Sequence, residues 1–121
     1  MSHMRDFSDY ATEEAEGIAR LRTEWTRAPG LEIYVRRSLR YPGVIVLANI
    51  VARPMQQGHF TRFLEDWSPR LPLEVEHPHN PYLKAFLLRL GWREVGIWGD
   101  IHLYNSKAQE IVDGFDAARG S

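Results

Sequence analysis

The segment from Ile50 to Phe60 is the part of the sequence best suited to bind a small anion. An apolar, strand-like run ends at Arg53-Pro54, and a helical pattern begins soon afterwards, close to Gly58. The first amide groups of a helix have no partners within the helix and carry partial positive charge, so they favour an anion such as a pyrophosphate. A glycine there lets the anion approach the backbone closely. A plain strand–helix connection explains the same residues, because one glycine is weaker evidence than a multi-glycine motif.

Residues that can exchange protons or bind metals follow one another closely at Glu74, Glu76, His77 and His79. Two histidines separated by one residue would share a face of a strand, and such pairs occur in metal sites. A site needs at least a third ligand, Pro78 disturbs the strand, and the chain contains no cysteine, so we predict no metal. For Glu74 and Glu76 the simpler interpretation is an exposed strand face.

The first half of the chain predicts one helix and two strands. Residues 9–28 favour a helix that ends at Pro29-Gly30. Residues 31–36 alternate apolar and polar side chains, which is typical of a half-buried strand. Turn residues at 41–43 then lead to a nearly continuous, β-branched run over residues 44–52, as expected of a central strand that is covered on both faces.

The second half predicts two helices, a short strand and a hairpin. Phe60, Phe63, Leu64 and Trp67 fall on one face of a helix. A second helix begins with Asn80 as its cap and Pro81 in its first turn, and ends at Gly91. The remaining predicted elements are a strand over 73–76, a hairpin formed by 92–97 and 101–104, and a last helix over 106–118. This order predicts an α/β domain with a mixed sheet.

Length and composition limit the classes of protein to which the chain can belong. A chain of 121 residues, 44% of them hydrophobic, makes one globular domain. Lys and Arg number 15 against 16 Asp and Glu, so no general electrostatic attraction to nucleic acid or anionic membrane follows. The absence of cysteine removes disulfides and thiolate nucleophiles. No apolar run approaches the ~20 residues that a membrane-spanning helix needs.

The run from Asn49 to Trp92 resembles the GCN5-related N-acetyltransferase (GNAT) family. In that family a strand leads into a Gln/Arg-x-x-Gly-x-Gly/Ala turn that opens a helix. Residues 55–60 match this turn at the central Gly58 and depart from it at Met55 and Phe60. A bulky Phe60 would narrow the phosphate site unless it faces the core, as its spacing with Phe63 indicates.

The family's later helix carries an asparagine, then six residues, a tyrosine, three residues, a glycine and an aromatic residue. Asn80, Leu87, Gly91 and Trp92 stand at this spacing. The resemblance covers roughly residues 44–104 and implies an acyl-CoA N-acyltransferase fold. We therefore expect a mixed, mostly antiparallel sheet flanked by helices, with a reduced N-terminal part, because only one helix is predicted before residue 31.

The resemblance implies acetyl-CoA as the cosubstrate and no metal. It places the pyrophosphate on the backbone amides of Gln57, Gly58 and His59. It places the pantetheine arm along the strand edge, where its amides would pair with the backbone as an added strand does. That edge consists of Ile50, Val51 and Ala52. Asn80 would contact the CoA arm, although a helix cap alone explains its identity.

The expected catalytic residues are Glu76, His77 and Tyr82. Glu76 or His77 would take a proton from the amine, directly or through water, and such a base contributes roughly 10²–10⁴-fold to the rate. Leu87 occupies the position of the family's tyrosine, the general acid that protonates the leaving thiolate, and leucine has no proton to give. Tyr82 or Tyr104 would replace that acid if either reaches the sulfur. The simpler interpretation of Tyr82 is a half-buried helix residue.

Two functions from different classes therefore remain. The first is a GNAT-like N-acetyltransferase that moves an acetyl group from acetyl-CoA to a primary amine of a small molecule or a protein. The alternative is a catalytically inactive GNAT-like module for protein binding or structure. Acetyltransferase-like proteins of tailed phages show a similar Phe-Leu pair to Phe86-Leu87, so the alternative includes a phage-encoded protein. A nucleic-acid partner is not expected, because the cluster of Arg36, Arg37 and Arg40 is best interpreted as solvated surface.

The expected organisation is one domain with short ends. Residues 1–7 are expected to be a tag scar and a disordered start, residues 8–105 a single GNAT-like domain, and residues 106–121 a C-terminal helix or tail. The expected location is the cytoplasm, or the host cytoplasm or virion for a phage protein, with no membrane partner. Expected partners are an amine substrate or a protein, and a homodimer is possible through exchange of the hairpin at residues 97–104.

Overall fold

A computed structural model of the chain describes residues 4–15, 23–52, 58–76, 78, 81–97 and 100–120. The described residues form seven strands and four helices. The strands are β1 (Arg5–Asp6), β2 (Glu24–Ala28), β3 (Leu31–Arg37), β4 (Ile45–Ala52), β5 (Leu73–Glu76), β6 (Arg93–Ile97) and β7 (Asp100–Tyr104). The helices are α1 (Phe7–Ala15), α2 (His59–Trp67), α3 (Pro81–Arg89) and α4 (Ser106–Gly120).

All of these strands join one mixed sheet in the order β1-β2-β3-β4-β5-β7-β6. The pairs β1–β2 and β4–β5 are parallel, and the other neighbouring strands are antiparallel. The expected α/β class with a mixed, mostly antiparallel sheet is therefore confirmed. The predicted hairpin is present as β6 and β7, with residues 98–99 of its turn outside the described residues.

Strand β2 corrects the first helix prediction. Residues 24–28 lie within the predicted helix 9–28, yet they form a strand that pairs with β3 through the two-residue turn Pro29-Gly30. Gly30 has a φ of +74°, and a proline followed by such a glycine is the pattern of a type II turn. The buried Thr26 hydroxyl donates to the Ile33 carbonyl at 3.0 Å. Strand pairing and burial here outweigh local helix propensity.

The folded part also begins earlier than residue 8. Arg5 lies opposite Thr26 in the parallel pair of β1 and β2. Phe7 is buried, and its ring contacts the rings of Phe63 and Trp67 at centroid distances of 4.8 and 5.1 Å. The expectation of a disordered start is therefore wrong for residues 5–7, while residues 1–3 lie outside the described part. A two-residue strand is too short to show a periodic pattern in the sequence.

The larger core lies on the sheet face that α1, α2 and α3 cover. Alternate residues of β3 point into it, which confirms the period-2 pattern predicted for this strand. Its largest members are the following buried residues: Phe7, Tyr10, Leu31, Ile33, Val35, Ile45, Leu47, Phe63, Leu64, Leu73, Val75, Leu87, Trp92 and Leu103.

A smaller core on the opposite face holds α4 against the sheet. It joins Ala108 and Val112 of α4 to Tyr41, Val44 and Tyr104. The last helix is thus confirmed, and it is an integral part of the domain rather than a tail.

The buried Asn105 connects α4 to strand β5 through its side-chain amide. Its Oδ1 accepts the amide hydrogens of Ala108 at 2.9 Å and Leu73 at 3.0 Å. Its Nδ2 donates to the Leu71 carbonyl at 2.8 Å. The first of these bonds is a helix N-cap, and the others hold the start of β5.

Across the described ranges, no helix combines the length and the apolar character that crossing a lipid bilayer requires.

Candidate functional site

The parallel strands β4 and β5 stay paired for only three residues each. Their ladder starts at Ile45 opposite Leu73 and ends at Leu47 opposite Val75. Strand β4 continues to Ala52 and pairs with β3 along that whole length. Among the described residues, the other edge of β4 beyond Leu47 therefore has no strand partner. We call this separation of the two strands after Leu47 and Val75 the β4–β5 fork.

A β-bulge lies at the fork. Tyr34 of β3 is opposite Asn49, but the next β3 residue, Val35, is opposite Leu47, so Ala48 is an extra residue in β4. A bulge bends its strand and increases the local twist. The change of direction at Ala48 therefore coincides with the end of the β4–β5 ladder. Among the described residues, it leaves one edge of residues 50–52 without a strand partner, and this is the edge to which the family resemblance assigned pantetheine.

Helix α2 begins directly after Gly58, which has a φ of +71° and a ψ of 13°. This left-handed conformation favours glycine. In the described part of the chain, no atom lies within 4 Å of the place that a Gly58 Cβ would occupy, so conformation rather than space selects glycine. The first turn of α2 contains no acidic residue, so none of its own carboxylates competes for its unpaired amides. Gln57, the other predicted ligand before the helix, lies outside the described residues.

The first two side chains of α2 turn away from its N-terminus. Phe60 packs against the larger core and stacks on Phe63 with a centroid distance of 6.1 Å, as its spacing predicted. The His59 ring lies against the β2–β3 turn, because a Cβ at Gly30 would be 2.3 Å from its Cγ. Within the described ranges, the buried His59 Nε2 has no hydrogen-bond partner. What His59 offers an anion is therefore its backbone amide.

Glu74 is buried, which corrects the interpretation of this residue as part of an exposed strand face. Only 3% of it is accessible, and its Oε2 lies 2.5 Å from Nδ1 of His102 on β7. Burial raises the pKa of Glu74, and hydrogen bonds from His102 and Tyr104 oppose that rise. No local pattern in the sequence identifies His102, because its contact with Glu74 depends on β7 lying beside β5.

Glu76, the predicted base, is half-buried at the end of β5 and forms an ion pair with Arg36 of β3. Arg36 therefore does not belong to a solvated arginine cluster. Arg37 pairs instead with Glu14 at 3.2 Å, and the Arg40 guanidinium donates to the Tyr41 hydroxyl at 3.1 Å. The three arginines thus have separate partners and do not form one patch for a polyanion.

Glu74, Glu76 and His102 could offer ligand atoms to a metal, since these atoms lie within 4.8 Å of one another. Each carboxylate already has a partner, however, because Arg36 pairs with Glu76 and His102 contacts Glu74. We therefore assign no metal to these residues. His77 and His79, the histidines considered from the sequence, lie outside the described residues.

The two tyrosines proposed as replacement acids occupy opposite environments. Tyr82 on α3 is 83% exposed, so the half-buried position expected for it is wrong. Tyr104 is fully buried, and burial together with the neighbouring Glu74 raises the pKa of its hydroxyl far above the ordinary value. A tyrosine with a raised pKa is a weaker acid, so Tyr104 is poorly suited to protonate a leaving group.

Leu87 is a core residue at the end of α3. The Trp92 amide donates to the Leu87 carbonyl at 3.1 Å, and the Gly91 amide donates to the Leu88 carbonyl at 3.0 Å. Gly91 has a φ of +91°, which completes a Schellman motif, and Leu87 and Trp92 both pack into the larger core. The helix end predicted at Gly91 is therefore confirmed, whereas Asn80 at the other end lies outside the described residues.

Comparison of the chain with models of protein families, with curated protein sequences and with solved structures gives no significant match. We therefore infer function from the residues and from the geometry of the fork.

Proposed function

We propose that the chain is a GNAT-like N-acetyltransferase that moves an acetyl group from acetyl-CoA to a primary amine of a small molecule or a protein. The observation that carries this proposal is the β4–β5 fork. A bulge at Ala48 ends the pairing of two parallel strands, and β4 then runs on toward a helix that begins after the left-handed Gly58.

The fork offers two complementary contacts to the coenzyme. The pantetheine arm contains amide groups, which can pair as an added strand does with the edge of residues 50–52, an edge that has no strand partner among the described residues. The diphosphate would lie at the N-terminus of α2, on the amides of Gln57, Gly58 and His59. The absence of acidic residues from the first turn of α2 favours an anion there. Asn80 is proposed to contact the CoA arm.

The proposed reaction is a direct attack of the amine on the thioester carbonyl while both substrates are bound. The amine must first lose a proton, and Glu76 lies at the end of β5, next to the fork. Leu87 cannot donate a proton, and the raised pKa of Tyr104 makes it a poor donor. Thiols ionise near pH 8.5, so a thiolate can leave without a strong acid beside it, and solvent can protonate it afterwards. We therefore expect turnover to be slow.

The alternative is a catalytically inactive GNAT-like module that acts in protein binding or structure. The specific observation in its favour is that Leu87, at the position of the family's acid, is fully buried in the core. In that case the fold would be kept for its surface rather than for proton transfer.

A binding assay followed by a turnover assay separates the two functions. The thermal midpoint is measured with millimolar acetyl-CoA and with CoA, and a ligand at 100 times Kd stabilises by about 2.7 kcal/mol. Release of free thiol from acetyl-CoA is then measured with spermidine, lysine and polylysine as acceptors. The enzyme predicts binding and amine-dependent thiol release. Absence of both contradicts the enzyme, and binding without release favours the inactive module.

A further inference from the structure

A cavity of about 240 Å³ lies between α2 and α3. Its apolar walls come from Leu64 of α2, Phe86 of α3, and Leu90 and Trp92 of the segment after α3. Leu64 and Trp92 are buried and Phe86 packs against the same core, whereas Leu90 is 53% exposed and opens the cavity to solvent. We call this space the α2–α3 cavity. It is smaller than the roughly 300–1,000 Å³ of sites for drug-sized ligands, so it suits a smaller molecule.

Among the described residues that line the α2–α3 cavity, only Glu65 of α2 is charged. Its side chain is exposed and has no ion pair or hydrogen bond within the described part of the chain. The neighbouring arginines lie elsewhere. Arg62 lines a different cavity beside the β2–β3 turn, and the Arg70 guanidinium lies over the Trp67 ring at 4.8 Å. The charge that a ligand meets in the lining is therefore negative.

The C-terminal end of α2 adds partial negative charge to the same part of the cavity. The helix ends at Ser68, whose amide donates to the Leu64 carbonyl at 2.8 Å. In a longer helix, residue 69 would donate to the Glu65 carbonyl, but Pro69 has no amide hydrogen. The last carbonyls of a helix favour a cation, and the last turn of α2 contains no basic residue to supply one.

We propose that the α2–α3 cavity binds a small primary amine with an aromatic or branched apolar body. The body would lie among Leu64, Phe86 and Trp92, where it loses apolar surface to water. The ammonium would lie beside the Glu65 carboxylate. Ser68, which also lines the cavity, accepts one hydrogen bond at its Oγ, from Asn105 at 3.1 Å, and keeps a second lone pair for an ammonium hydrogen.

This site is separate from the proposed coenzyme site. The diphosphate would lie at the N-terminus of α2, beside Gly58, whereas Glu65 and Ser68 lie near the C-terminus of the same nine-residue helix. Such a helix is about 13 Å long. Binding of the amine therefore does not depend on acetyl-CoA or on the proposed acetyl transfer, and failure of either proposal leaves the other standing.

The test compares three ligands that share a phenethyl body and differ in charge: phenethylamine, phenethyl alcohol and hydrocinnamate. Alkyl ammonium groups ionise at about pH 10, as lysine does, so the amine is a cation at pH 7. Binding is measured by NMR titration of the backbone amides of the wild-type chain. We expect the amine to bind with a Kd of about 1 mM or lower and to shift the amides around Trp92. The alcohol should bind at least about threefold more weakly, and the carboxylate more weakly still.

A matched pair of variants assigns the preference to Glu65. Glu65→Gln should bring the affinities of the amine and the alcohol within about a factor of 1.5, because it removes the exposed charge and keeps the size of the side chain. Asp66→Asn makes the same change of charge on the next, exposed residue of α2, which lines the other cavity. It should leave at least about a twofold preference for the amine.

A third variant tests the apolar part of the site. Leu90→Ser shortens an exposed wall of the cavity, and it should weaken all three ligands by about twofold to fivefold without changing their order. Equal affinities of the three ligands for the wild type, or no binding of any of them, would contradict the proposal. An amine preference that persists unchanged in Glu65→Gln, or shifts confined to amides away from the cavity, would contradict it as well.

The other occupant that the exposed Leu88 and Leu90 could receive is a second copy of the chain. Light scattering over a range of protein concentrations measures the mass in solution. We expect a monomer at the concentrations of the titration, with the cavity open to the amine. A dimer that Leu90→Ser dissociates, and that phenethylamine does not, would assign the cavity to the contact between copies and overturn the proposal.

Discussion

Leu47 of β4 and Val75 of β5 form the last pair of the parallel ladder, and the next β4 residue, Ala48, is the extra residue of a bulge. The end of the β4–β5 pairing therefore coincides with the bulge in β4. Beyond that pair, one edge of β4 has no strand partner in the described part of the chain, and β4 precedes Gly58, where α2 begins. A ligand with peptide-like amides and a diphosphate matches both features.

The burial of Leu87 predicts that a tyrosine placed at this position would not supply an acid for the proposed reaction. Leu87→Tyr adds volume to a packed core and buries a hydroxyl, and we expect it to lower the free energy of unfolding by about 2–4 kcal/mol. We expect no gain in amine-dependent thiol release, because the new hydroxyl would lie in the core. Leu88→Tyr, one residue further and 42% exposed, should change stability by less than about 0.5 kcal/mol. Urea unfolding measures both, and equal effects would contradict the placement of Leu87.

Tyr10 is buried, and burial raises the pKa of its hydroxyl to about 12. Within the described residues this hydroxyl has no hydrogen-bond partner. Tyr10→Phe removes an unsatisfied group, so we expect the free energy of unfolding at pH 7 to rise by about 1 kcal/mol. Tyr82→Phe on the exposed face of α3 is the control, with an expected change below about 0.5 kcal/mol.

The same residue gives a pH dependence with a defined sign. The pKa of Tyr10 is higher in the folded state than the ordinary value of 10.0, so folding disfavours ionisation of its hydroxyl. The free energy of unfolding is therefore unaffected by this group well below pH 10 and falls as pH rises from 10 toward 12. The wild type should therefore lose about 2 kcal/mol more than Tyr10→Phe across that interval. Urea unfolding at a series of alkaline pH values measures the difference. Parallel curves for the two proteins would show that Tyr10 ionises equally easily in both states.

The hydrogen bonds of Asn105 lead to a further prediction about the connection between α4 and the sheet. Asn105→Ala removes the cap of α4 and leaves the Leu73 amide without its acceptor, so we expect a loss of about 2–4 kcal/mol in unfolding free energy. Asn105→Asp keeps the acceptor but sets a buried carboxylate oxygen against the Leu71 and Ser68 carbonyls, and should cost at least as much. Thermal unfolding of both variants ranks them, and a smaller loss in Asn105→Asp would show that the cap matters more than the Nδ2 bonds.

Elements with a strong periodic pattern could be predicted from the sequence. The alternation in β3, the β-branched run of β4, and the helix end at Gly91 were all visible, because each depends on neighbours along the chain. Strands β1 and β2 were missed for the opposite reason. Thr26 becomes part of a strand through its pairing with Ile33 and its burial, and neither contact leaves a local pattern.

Some features of the candidate site could likewise be predicted from the sequence, and others could not. The position of Gly58 at the start of α2 followed from residue type and position, and the structure gives it the left-handed conformation that favours glycine. The bulge at Ala48 and the contact of Glu74 with His102 could not be predicted, because they depend on the register of β4 with β3 and on the strand order β5-β7. An alternating strand alone also cannot show which of its faces a helix such as α4 covers.

Acetyl-CoA binding to the wild type, Gly58→Glu and Gly58→Gln, measured by calorimetry, tests the central claim most directly. Both substitutions place a side chain of similar size at the same φ of +71°, so they share the backbone strain and differ in one negative charge. We predict that Gly58→Gln retains most of the affinity, while Gly58→Glu, which sets a carboxylate against the diphosphate, lowers it at least about tenfold further. Equal affinities of Gly58→Glu and Gly58→Gln, or no binding by the wild type, would contradict the assignment of a coenzyme site to this fork.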